Sequence, residues 1–306
     1  MKNHIRIATR KSKLALWQAN FVKSALEKKH PGLIVSLIEI MTEGDKQPTI
    51  PLAQMGGKSV FVKALQNALL NNEADIAVHS IKDMSVYPTD NLILAAVCER
   101  ADPRDAFISN DFMAIESLPR HAIVGTSSPR RTCLIKSLRP DIKIELLRGN
   151  VDTRLAKLDA RNYDAIILAA AGLHRLDLTS RIQSYFSCDF FTPAIGQGAI
   201  GVECREDDIV MRDLLLFLNH ADTAHSIVAE RRVNQIVGGD CHTVIGAHAH
   251  INQDQIYLSA MVGSMDGKII LRAKAHCDLH GAIRCGENVA KDLLNQGAAQ
   301  LIISRE

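Results

Sequence analysis

Apolar runs of strand length alternate with amphipathic helices along this chain, and that alternation constrains the fold more than any other feature. The first cycle is a strand at Ile5–Ala8, a helix at Ser12–Lys28 and a β-rich run at Leu33–Met41. Apolar residues recur every three or four positions in the helix, which places them on one face. Strands buried on both faces give continuous apolar runs. The alternation therefore predicts an α/β architecture with a largely parallel sheet.

The alternation continues to about residue 218, and the pattern then changes. Further predicted strands are 75–78, 92–98, 123–126, 142–147, 165–169 and 199–204, with helices at 59–70, 129–138, 151–161 and 207–218. A helix at 223–236 is followed by strand-like runs at 244–250, 255–262 and 268–275 and a helix at 283–295. Turn residues between the last two runs predict an antiparallel meander. Polar or proline-containing segments at 99–105 and 191–194 are predicted linkers, and the C-terminal part is a predicted α+β domain.

Charge and cysteine usage narrow the class of protein. The 306 residues suit two or three domains, and 36 Lys+Arg against 34 Asp+Glu give no bulk basicity for nucleic acid. The apolar run at 165–173 is far shorter than the ~20 residues of a membrane-spanning helix. The N-terminus lacks the apolar core of a signal peptide, and the seven cysteines form no CxxC pair. These features predict a cytoplasmic protein that binds neither nucleic acid nor membrane.

Three local patterns resemble known motifs but do not meet their structural requirements. The GxGxxG pattern at 196–201 leads into an apolar run and not into a helix, which disfavours a dinucleotide site. Gly57-Lys58-Ser59 resembles the end of a P-loop, but Leu52 stands where that motif needs glycine. The C-terminal third concentrates cysteine and histidine without finger-like spacing. No metal site is predicted there, and zinc stays the alternative.

Cationic and hydroxyl residues gather where predicted strands meet helices. Arg10 and Ser12 follow the first strand, and Ser128-Pro129 is a good N-cap followed by a good first helical residue. Ligands of open α/β sheets bind beyond the carboxyl ends of strands, where helix N-termini attract anions. The residues at such ends are Arg10, Lys82, Arg130, Arg131 and Arg148. The set predicts a cleft for a small ligand with several carboxylates or phosphates, whereas any single arginine could form a surface ion pair.

Two further residues are candidates for chemistry. Asp83 directly follows a buried strand and lies among the cations. It could balance Lys82, or it could stabilise a developing cation and transfer a proton. Cys241 follows Gly238-Gly239-Asp240, and the neighbouring carboxylate disfavours a thiolate. From the residues alone, a structural and a reactive role of Cys241 both stay open.

These residues resemble the porphobilinogen deaminase (hydroxymethylbilane synthase) family. The similar stretches are 5–12, 14–18, 56–58, 79–83, 102–105, 125–131, 147–150, 153–155, 171–173, 175–176 and 196–198. Each stretch alone is a weak signal, but together they cover nearly the whole chain and are highly specific.

The resemblance implies an α/β fold of two lobes like those of periplasmic binding proteins, with a discontinuous first lobe. The implied boundaries are 1–98 and 197–218 for lobe 1, 103–193 for lobe 2, and 222–306 for a small C-terminal α+β domain. It also implies the reaction: four porphobilinogen molecules are joined head to tail with loss of ammonia, and water releases linear hydroxymethylbilane. The implied protein is a monomeric transferase of tetrapyrrole biosynthesis.

The resemblance also implies roles for individual residues. Cys241 would hold a dipyrromethane cofactor through a thioether, and Asp83 would stabilise the cationic azafulvene formed when porphobilinogen loses ammonia. The implied cofactor-binding residues are Lys82, Thr126, Ser128, Arg130, Arg131, Arg148 and Arg154. The implied substrate-binding residues are Arg10, Ser12, Arg148, Arg154, Arg175, Lys58 and Gln197. The sequence departs from the family pattern at Met84-Ser85, Gln54 and Val244, and none of these positions supplies a group that the chemistry needs.

A two-lobed binding protein for a small polyanion is the rival from another functional class. It would share the fold and the cationic cleft, but it has no use for a tethering cysteine or for an aspartate among cations. Release of ammonia from porphobilinogen separates the two hypotheses.

Overall fold

The computed structural model describes residues 3–41, 59–240 and 242–303. The chain divides into two compact units. The first combines residues 1–101 with 199–224, and the second combines 102–198 with 225–306. The first unit is therefore discontinuous, in agreement with the predicted fold class.

The first unit is built on a mixed sheet. Its strands are β1 (His4–Arg10), β2 (Ile34–Ile40), β3 (Ile76–Ser80), β4 (Leu92–Val97) and β10 (Ile200–Arg205), and its helices are α1 (Lys13–Lys29), α2 (Ser59–Leu70) and α6 (Ile209–Leu215). The described strand order is β2-β1-β3-β10-β4. β1 runs parallel to β2 and β3, whereas β10 is antiparallel to both of its neighbours. The carboxyl ends of β1 and β3 consequently lie at the same edge of the sheet.

Hydrophobic periodicity explains why these segments form the first unit. In α1 the buried residues Ala19, Val22 and Leu26 lie on one face, as their spacing predicts, and pack on Ile5 and Ile7 of β1. α1 therefore holds the turn at its N-terminus against the end of β1. α2 has the bounds that the sequence predicts.

The second unit contains two sheets. A mixed sheet is formed by β5 (Asp105–Ile108), β6 (Ile123–Gly125), β7 (Lys143–Glu145), β8 (Ala165–Ala169) and β9 (Ser184–Tyr185), with α3 (Pro129–Leu138), α4 (Val151–Asp159) and α5 (Ala170–Arg175). An antiparallel sheet is formed by β11 (Ile245–Asn252), β12 (Gln255–Gly263) and β13 (Ile270–Asp278), with α7 (Ala221–Val237), α8 (Ala282–Asn295) and α9 (Ala298–Ile303). The described orders are β7-β6-β8-β5-β9 and β11-β12-β13. Val244 and Met261 share a core with Phe107 and Leu134, so the two sheets of this unit pack into one another's hydrophobic cores.

Several sequence predictions are confirmed and others are wrong. The C-terminal meander and its closing helix form as predicted, and the GxGxxG segment leads into β10 and not into a helix. In each of the two α/β sheets, four of the five described strands run in the same direction, as predicted, but β10 in one sheet and β5 in the other run against their neighbours. Strand direction depends on where the chain returns to the sheet, which periodicity does not encode.

Both predicted linkers contain buried residues. Asp105 is fully buried and begins β5, and Phe191 and Thr192 are 1% exposed. Polarity marks a solvated loop only when the polar groups lack partners inside the fold, and Asp105 has such partners. The short helix α5 was not predicted, because it continues the apolar run of β8 without a break in composition. No helix in the described ranges is long and apolar enough to cross a bilayer.

Candidate active site

The turn between β1 and α1 places Arg10 and Ser12 at the carboxyl edge of the first sheet. Arg10 is the last residue of β1 and is half-buried. Ser12 is the N-cap of α1, and its hydroxyl accepts a hydrogen bond from the Ala15 backbone N–H at 3.3 Å. A capped helix start presents its remaining N–H groups to an anion. This corner therefore has the donors that a carboxylate ligand needs.

Lys82 and Asp83 lie at the same edge, in a 3₁₀ turn at Ile81–Asp83 that directly follows β3. Both side chains are half-buried. The Ile81 backbone N–H donates to the Ala199 carbonyl at 3.1 Å, which fixes the start of the turn. Because β1 and β3 are parallel neighbours, the turn shares its sheet edge with Arg10. The predicted catalytic carboxylate thus lies on a rigid base with partial access to solvent.

A hydrogen-bonded pair supports this turn from α1. Gln18 is 3% exposed, and its Nε2 donates to the Ser80 hydroxyl at 2.9 Å. The Ser80 hydroxyl also lies 3.2 Å from Gln18 Oε1. Since α1 begins at Ser12, the pair connects the Arg10 corner to the residue two positions before Lys82. In the sequence, Gln18 stands out only as a member of the similar stretch 14–18.

A second buried network lies in the centre of the first sheet. The Glu203 carboxylate accepts hydrogen bonds from Gln66 Nε2 at 3.0 and 3.2 Å, and its Oε2 lies 3.1 Å from His79 Nε2. All three residues are buried. The network ties α2 to β3 and β10, and sequence reasoning assigned it no function. The signal that could have found it is a histidine inside an otherwise apolar buried strand.

In the second unit, the turn between β6 and α3 has the predicted capping geometry. Ser128 is the N-cap of α3, and its hydroxyl accepts from the Arg131 backbone N–H at 3.4 Å, with Pro129 as the first helical residue. The Ser128 backbone N–H donates to the hydroxyl of buried Thr126 at 3.2 Å. The two hydroxyls organise the turn, and both were predicted to bind the cofactor.

Asp105 holds the two arginines that follow this turn. Its Oδ2 accepts from Arg130 at 2.7 Å, and its Oδ1 accepts from Arg131 at 2.6 and 3.0 Å. Burial opposes ionisation of Asp105, but the two guanidinium charges outweigh it and lower the pKa of the carboxyl to about 2. Burial also disfavours the charged form of Arg130 and lowers the pKa of its guanidinium. The three residues form a buried ionic cluster.

Each of the two arginines also donates to a backbone carbonyl. Arg130 donates to the Thr192 carbonyl at 2.7 Å, and Arg131 donates to the Ile167 carbonyl at 2.8 Å. Their side chains are only 4% and 8% exposed. The structure therefore assigns both arginines a role inside the protein, and their predicted contact with the cofactor stays a prediction. Sequence reasoning gave Asp105 no role, although the residue lies in a similar stretch.

Gln197 and Arg175 are also buried in the second unit, at 1% and 9% exposure. Gln197 Nε2 donates to the Pro103 carbonyl at 2.7 Å and to Asp105 Oδ1 at 3.0 Å. Arg175 donates to the Gly198 carbonyl at 2.7 Å. These bonds hold the segment 196–198 in place. The predicted substrate contacts of both residues stay predictions.

Arg148 and Arg154 flank the start of α4, and both are half-buried. Asn150 is at the N-cap position of α4, but its side chain makes no capping hydrogen bond. Arg154 Nε instead donates to the Gly149 carbonyl at 2.7 Å. Gly149 has a φ of +116°, which favours glycine and turns the chain sharply before the helix. The geometry brings these two guanidiniums to one helix start, as predicted.

Cys241 and Lys58 lie outside the described residues. The residues on both sides of position 241 are described, and hydrogen bonds join them. The Asp240 carboxylate accepts from the His242 backbone N–H at 2.9 Å and from the Thr243 hydroxyl at 2.8 Å, and the Asp240 N–H donates back to that hydroxyl at 2.9 Å. Gly238 has a φ of +79°. These bonds join residues 240, 242 and 243, which flank the predicted attachment residue in the chain.

In the described ranges, no group of three or more His, Cys, Asp or Glu residues is arranged to hold a metal ion. An open depression lined by Arg120, Arg139 and Asp141 contains none of the predicted site residues. Arg139 and Asp141 in this depression already form an ion pair at 2.7 Å. The sheet edges are therefore the better candidate sites.

The donor set fits a ligand with several carboxylates. In each unit, a capped helix start lies beside cationic side chains, and in the first unit one half-buried carboxylate lies at the same sheet edge. Arginine forks and helix N-termini bind carboxylates. A carboxylate at such an edge can stabilise a cation or transfer a proton.

Family models match two parts of the chain. The model described as "Porphobilinogen deaminase, dipyromethane cofactor binding domain" matches residues 5–213. The model described as "Porphobilinogen deaminase, C-terminal domain" matches residues 224–295. Together they cover most of the sequence.

Curated relatives give the same result. The porphobilinogen deaminases of the Dugway and Henzerling II strains of Coxiella burnetii are 53% identical to this chain over 301 residues, which is 98% of this chain and 97% of each relative.

Among solved structures, a periplasmic substrate-binding protein of an ABC transporter from Coxiella burnetii has a TM-score of 0.45 at 14% identity, covering 70% of this chain and 91% of its own. A nutrient binding protein from Burkholderia cenocepacia has a TM-score of 0.43 at 16% identity, covering 69% and 90%.

Proposed function

Because the chain belongs to the porphobilinogen deaminase family, we propose that Asp83, Cys241 and the cationic turns of its two units carry out hydroxymethylbilane synthesis. The enzyme is a transferase of tetrapyrrole biosynthesis. It joins four porphobilinogen molecules head to tail with loss of ammonia and releases linear hydroxymethylbilane by hydrolysis. The observation that carries the assignment of residues is the half-buried Asp83 at a sheet edge that also presents Arg10 and Ser12.

Asp83 acts where positive charge develops. When the C–N bond of porphobilinogen breaks, ammonia leaves and the remaining cation is spread over the pyrrole ring. The Asp83 carboxylate accepts a hydrogen bond from the pyrrole N–H and stabilises that cation. Forming the new C–C bond then releases a proton from the attacking ring, which Asp83 passes to water because its side chain is only half-buried.

Cys241 holds the dipyrromethane cofactor through a thioether. When bound, the cofactor supplies the tethered pyrrole from which the chain grows. The turn around Asp240 supports this role, because its hydrogen bonds fix the backbone on both sides of position 241. The carboxylates of the cofactor are held by residues at the strand ends and helix starts, namely Lys82, Thr126, Ser128, Arg130, Arg131, Arg148 and Arg154. Of these, Arg148 and Arg154 are the more exposed arginines and fit a direct contact best.

The substrate carboxylates bind at the same kind of position. Each porphobilinogen carries an acetate and a propionate, and arginine binds a carboxylate through two parallel hydrogen bonds. The residues that bind these substrate carboxylates are Arg10, Ser12, Arg148, Arg154, Arg175, Lys58 and Gln197. Gln197 and Arg175 also hold the segment 196–198, since Gln197 donates to Asp105 and Arg175 donates to the Gly198 carbonyl.

We infer a cytoplasmic, monomeric enzyme of the hydroxymethylbilane synthase class, with three domains at the boundaries given above. It uses porphobilinogen as its small-molecule substrate, and neither nucleic acid nor a catalytic metal takes part.

The decisive experiment is the intact mass of the purified protein beside a Cys241→Ser variant. We expect excess mass equal to two linked pyrrole units in the parent and none in the variant. Excess mass in both proteins would show that another residue carries the attachment. An unmodified mass in both calls for incubation of the parent with porphobilinogen, which should load the protein covalently and release ammonia.

Failure to load, with substrate bound but no ammonia released, would favour the rival binding protein. The same incubation of Cys241→Ser is the matched control, because the variant keeps the cationic turns and loses only the thiol. Binding without loading in the variant alone is the expected result.

A further inference from the structure

The solvent-facing side of the C-terminal sheet carries a row of flat rings. Residues His250, Tyr257 and His276 lie opposite one another across β11, β12 and β13. His248 precedes His250 by two positions and therefore points to the same face. Neighbouring ring centroids are 6.0 Å apart for His248–His250, 5.3 Å for His250–Tyr257 and 6.0 Å for Tyr257–His276. Three of the four rings are imidazoles, and the proposed reaction uses none of them.

His248 and His250 differ from His276 in their spacing. Their ring planes are 22° apart at a centroid distance of 6.0 Å, with no ring between them. His276 is separated from His250 by the whole ring of Tyr257. Metal–imidazole bonds are about 2.0–2.1 Å long, so two imidazoles that share one ion have centroids on the order of 5–6 Å apart. Among the imidazoles on this face, only His248 and His250 are direct neighbours, with centroids 6.0 Å apart, and rotation of the nearly parallel rings must turn their nitrogens towards a common ion.

We propose that His248 and His250 form a two-imidazole site for a borderline divalent transition ion such as Ni²⁺, Cu²⁺ or Zn²⁺. Neutral imidazole is a preferred ligand of these ions. Water completes the coordination sphere, since His250 is exposed and His248 is half-buried. This proposal is independent of the proposed function, because the pair belongs to neither catalytic turn.

A nearby cationic side chain limits the affinity that this metal site can reach. The rung that contains His248 continues through Ser259 to Lys274, which is exposed and cationic. The ammonium group repels a divalent ion, although solvent and salt screen the repulsion. Metal ions compete with protons for imidazole nitrogen. We expect tighter binding at pH 7.5 than at pH 5.5.

Titration calorimetry with Ni²⁺ on the untagged protein tests the proposal, with His248→Gln, His250→Gln and His276→Gln as variants. The cysteines are present in all four proteins, so differences between them report the imidazoles. We expect His248→Gln and His250→Gln each to weaken the tightest binding event at least tenfold, because a second tethered ligand acts at high effective concentration. His276→Gln should change it less than twofold.

An equal loss in His250→Gln and His276→Gln would overturn the proposal, because it would mean that isolated imidazoles bind the ion. Unchanged binding in all three variants would place the ion elsewhere and also overturn it. Tyr257→His gives an opposite test, since it adds an imidazole at the 5.3 Å position beside His250. We expect tighter binding in this variant, and no gain would contradict the assigned geometry.

Discussion

Asp83 of the first unit follows Lys82 in a short turn, Asp105 of the second unit binds two arginines, and the structure uses the two carboxylates differently. Asp105 is fully buried, and both of its oxygens bind guanidinium groups. Asp83 is half-buried in a 3₁₀ turn next to Lys82. Asp105 is supported by charge, whereas the turn of Asp83 is supported by the neutral Gln18–Ser80 pair.

The difference shows how burial divides carboxylates between structure and chemistry. A fully buried carboxylate whose pKa is held low by two guanidinium groups stays ionised near neutral pH and is shielded from water. A half-buried carboxylate on a rigid turn can contact a ligand and still reach water. The same residue type therefore stabilises one unit and serves the proposed reaction in the other.

The largest expected effect comes from Asp83→Asn. We expect turnover to fall about 10²–10⁴-fold, because the variant keeps the shape of the side chain but loses its charge and its ability to transfer a proton. Formation of hydroxymethylbilane measures the loss, and thermal unfolding should be nearly unchanged. Asp90→Asn, in an exposed part of the same connection, is the control. Near-normal turnover of Asp83→Asn would contradict the catalytic role proposed for Asp83.

Asp105→Asn should act on stability instead. Removing the charge leaves Arg130 and Arg131 buried without a counter-ion, which costs about 3–5 kcal/mol of unfolding free energy. Asp111→Asn breaks the exposed pair with Arg161 and should cost at most about 1 kcal/mol. Urea unfolding measures both. Equal losses in the two variants would contradict the distinction drawn between buried and exposed ion pairs.

The pH dependence of stability provides a smaller and independent effect. The pKa of Asp105 is about 2 in the folded protein against an ordinary value of 3.8, so the unfolded chain binds its proton more tightly. The resulting stability is present above about pH 4 and is lost as the pH falls towards about 2, with a magnitude on the order of 2 kcal/mol. Asp105→Asn should show a shallower acid limb than the parent in urea unfolding. Parallel acid limbs would show that Asp105 does not contribute.

Arg148→Leu should impair substrate binding or elongation by about tenfold, which corresponds to about 1.4 kcal/mol. Its half-buried guanidinium lies at the start of α4, where carboxylates are expected to bind. Steady-state kinetics on cofactor-loaded enzyme measures the effect, with exposed Arg120→Leu as the control. Unchanged kinetics with the cofactor intact would refute the placement of Arg148 in the site.

The smallest effects compare the two N-caps. Ser12→Ala and Ser128→Ala should each reduce the unfolding free energy by about 1 kcal/mol, because each removes the acceptor for a helix N–H group. Ser127→Ala, at an exposed position next to the second cap, should have almost no effect. If only one cap variant also weakens substrate binding, that unit holds the substrate carboxylate.

Local features of the site were accessible to sequence reasoning. Ser12 and Ser128 were predictable as caps, because a cap and the N–H group it binds lie within three residues of each other. The bounds of α2, α3 and β8 were predicted correctly for the same reason, since hydrophobic periodicity is a local property. The partners of Asp105 were not predictable, because Arg130 and Arg131 follow it by 25 and 26 positions.

The sequence by itself determined the alternation of elements, the helix starts with their hydroxyl caps, and the family through its similar stretches. Only the tertiary structure decided that β10 and β5 run against their neighbours, that Arg130 and Arg131 turn inward to Asp105, and that Gln18 supports the turn of Asp83. The physical reason is desolvation. A charged or polar side chain enters a core only where folding brings a partner to it, and that partner comes from a distant part of the chain.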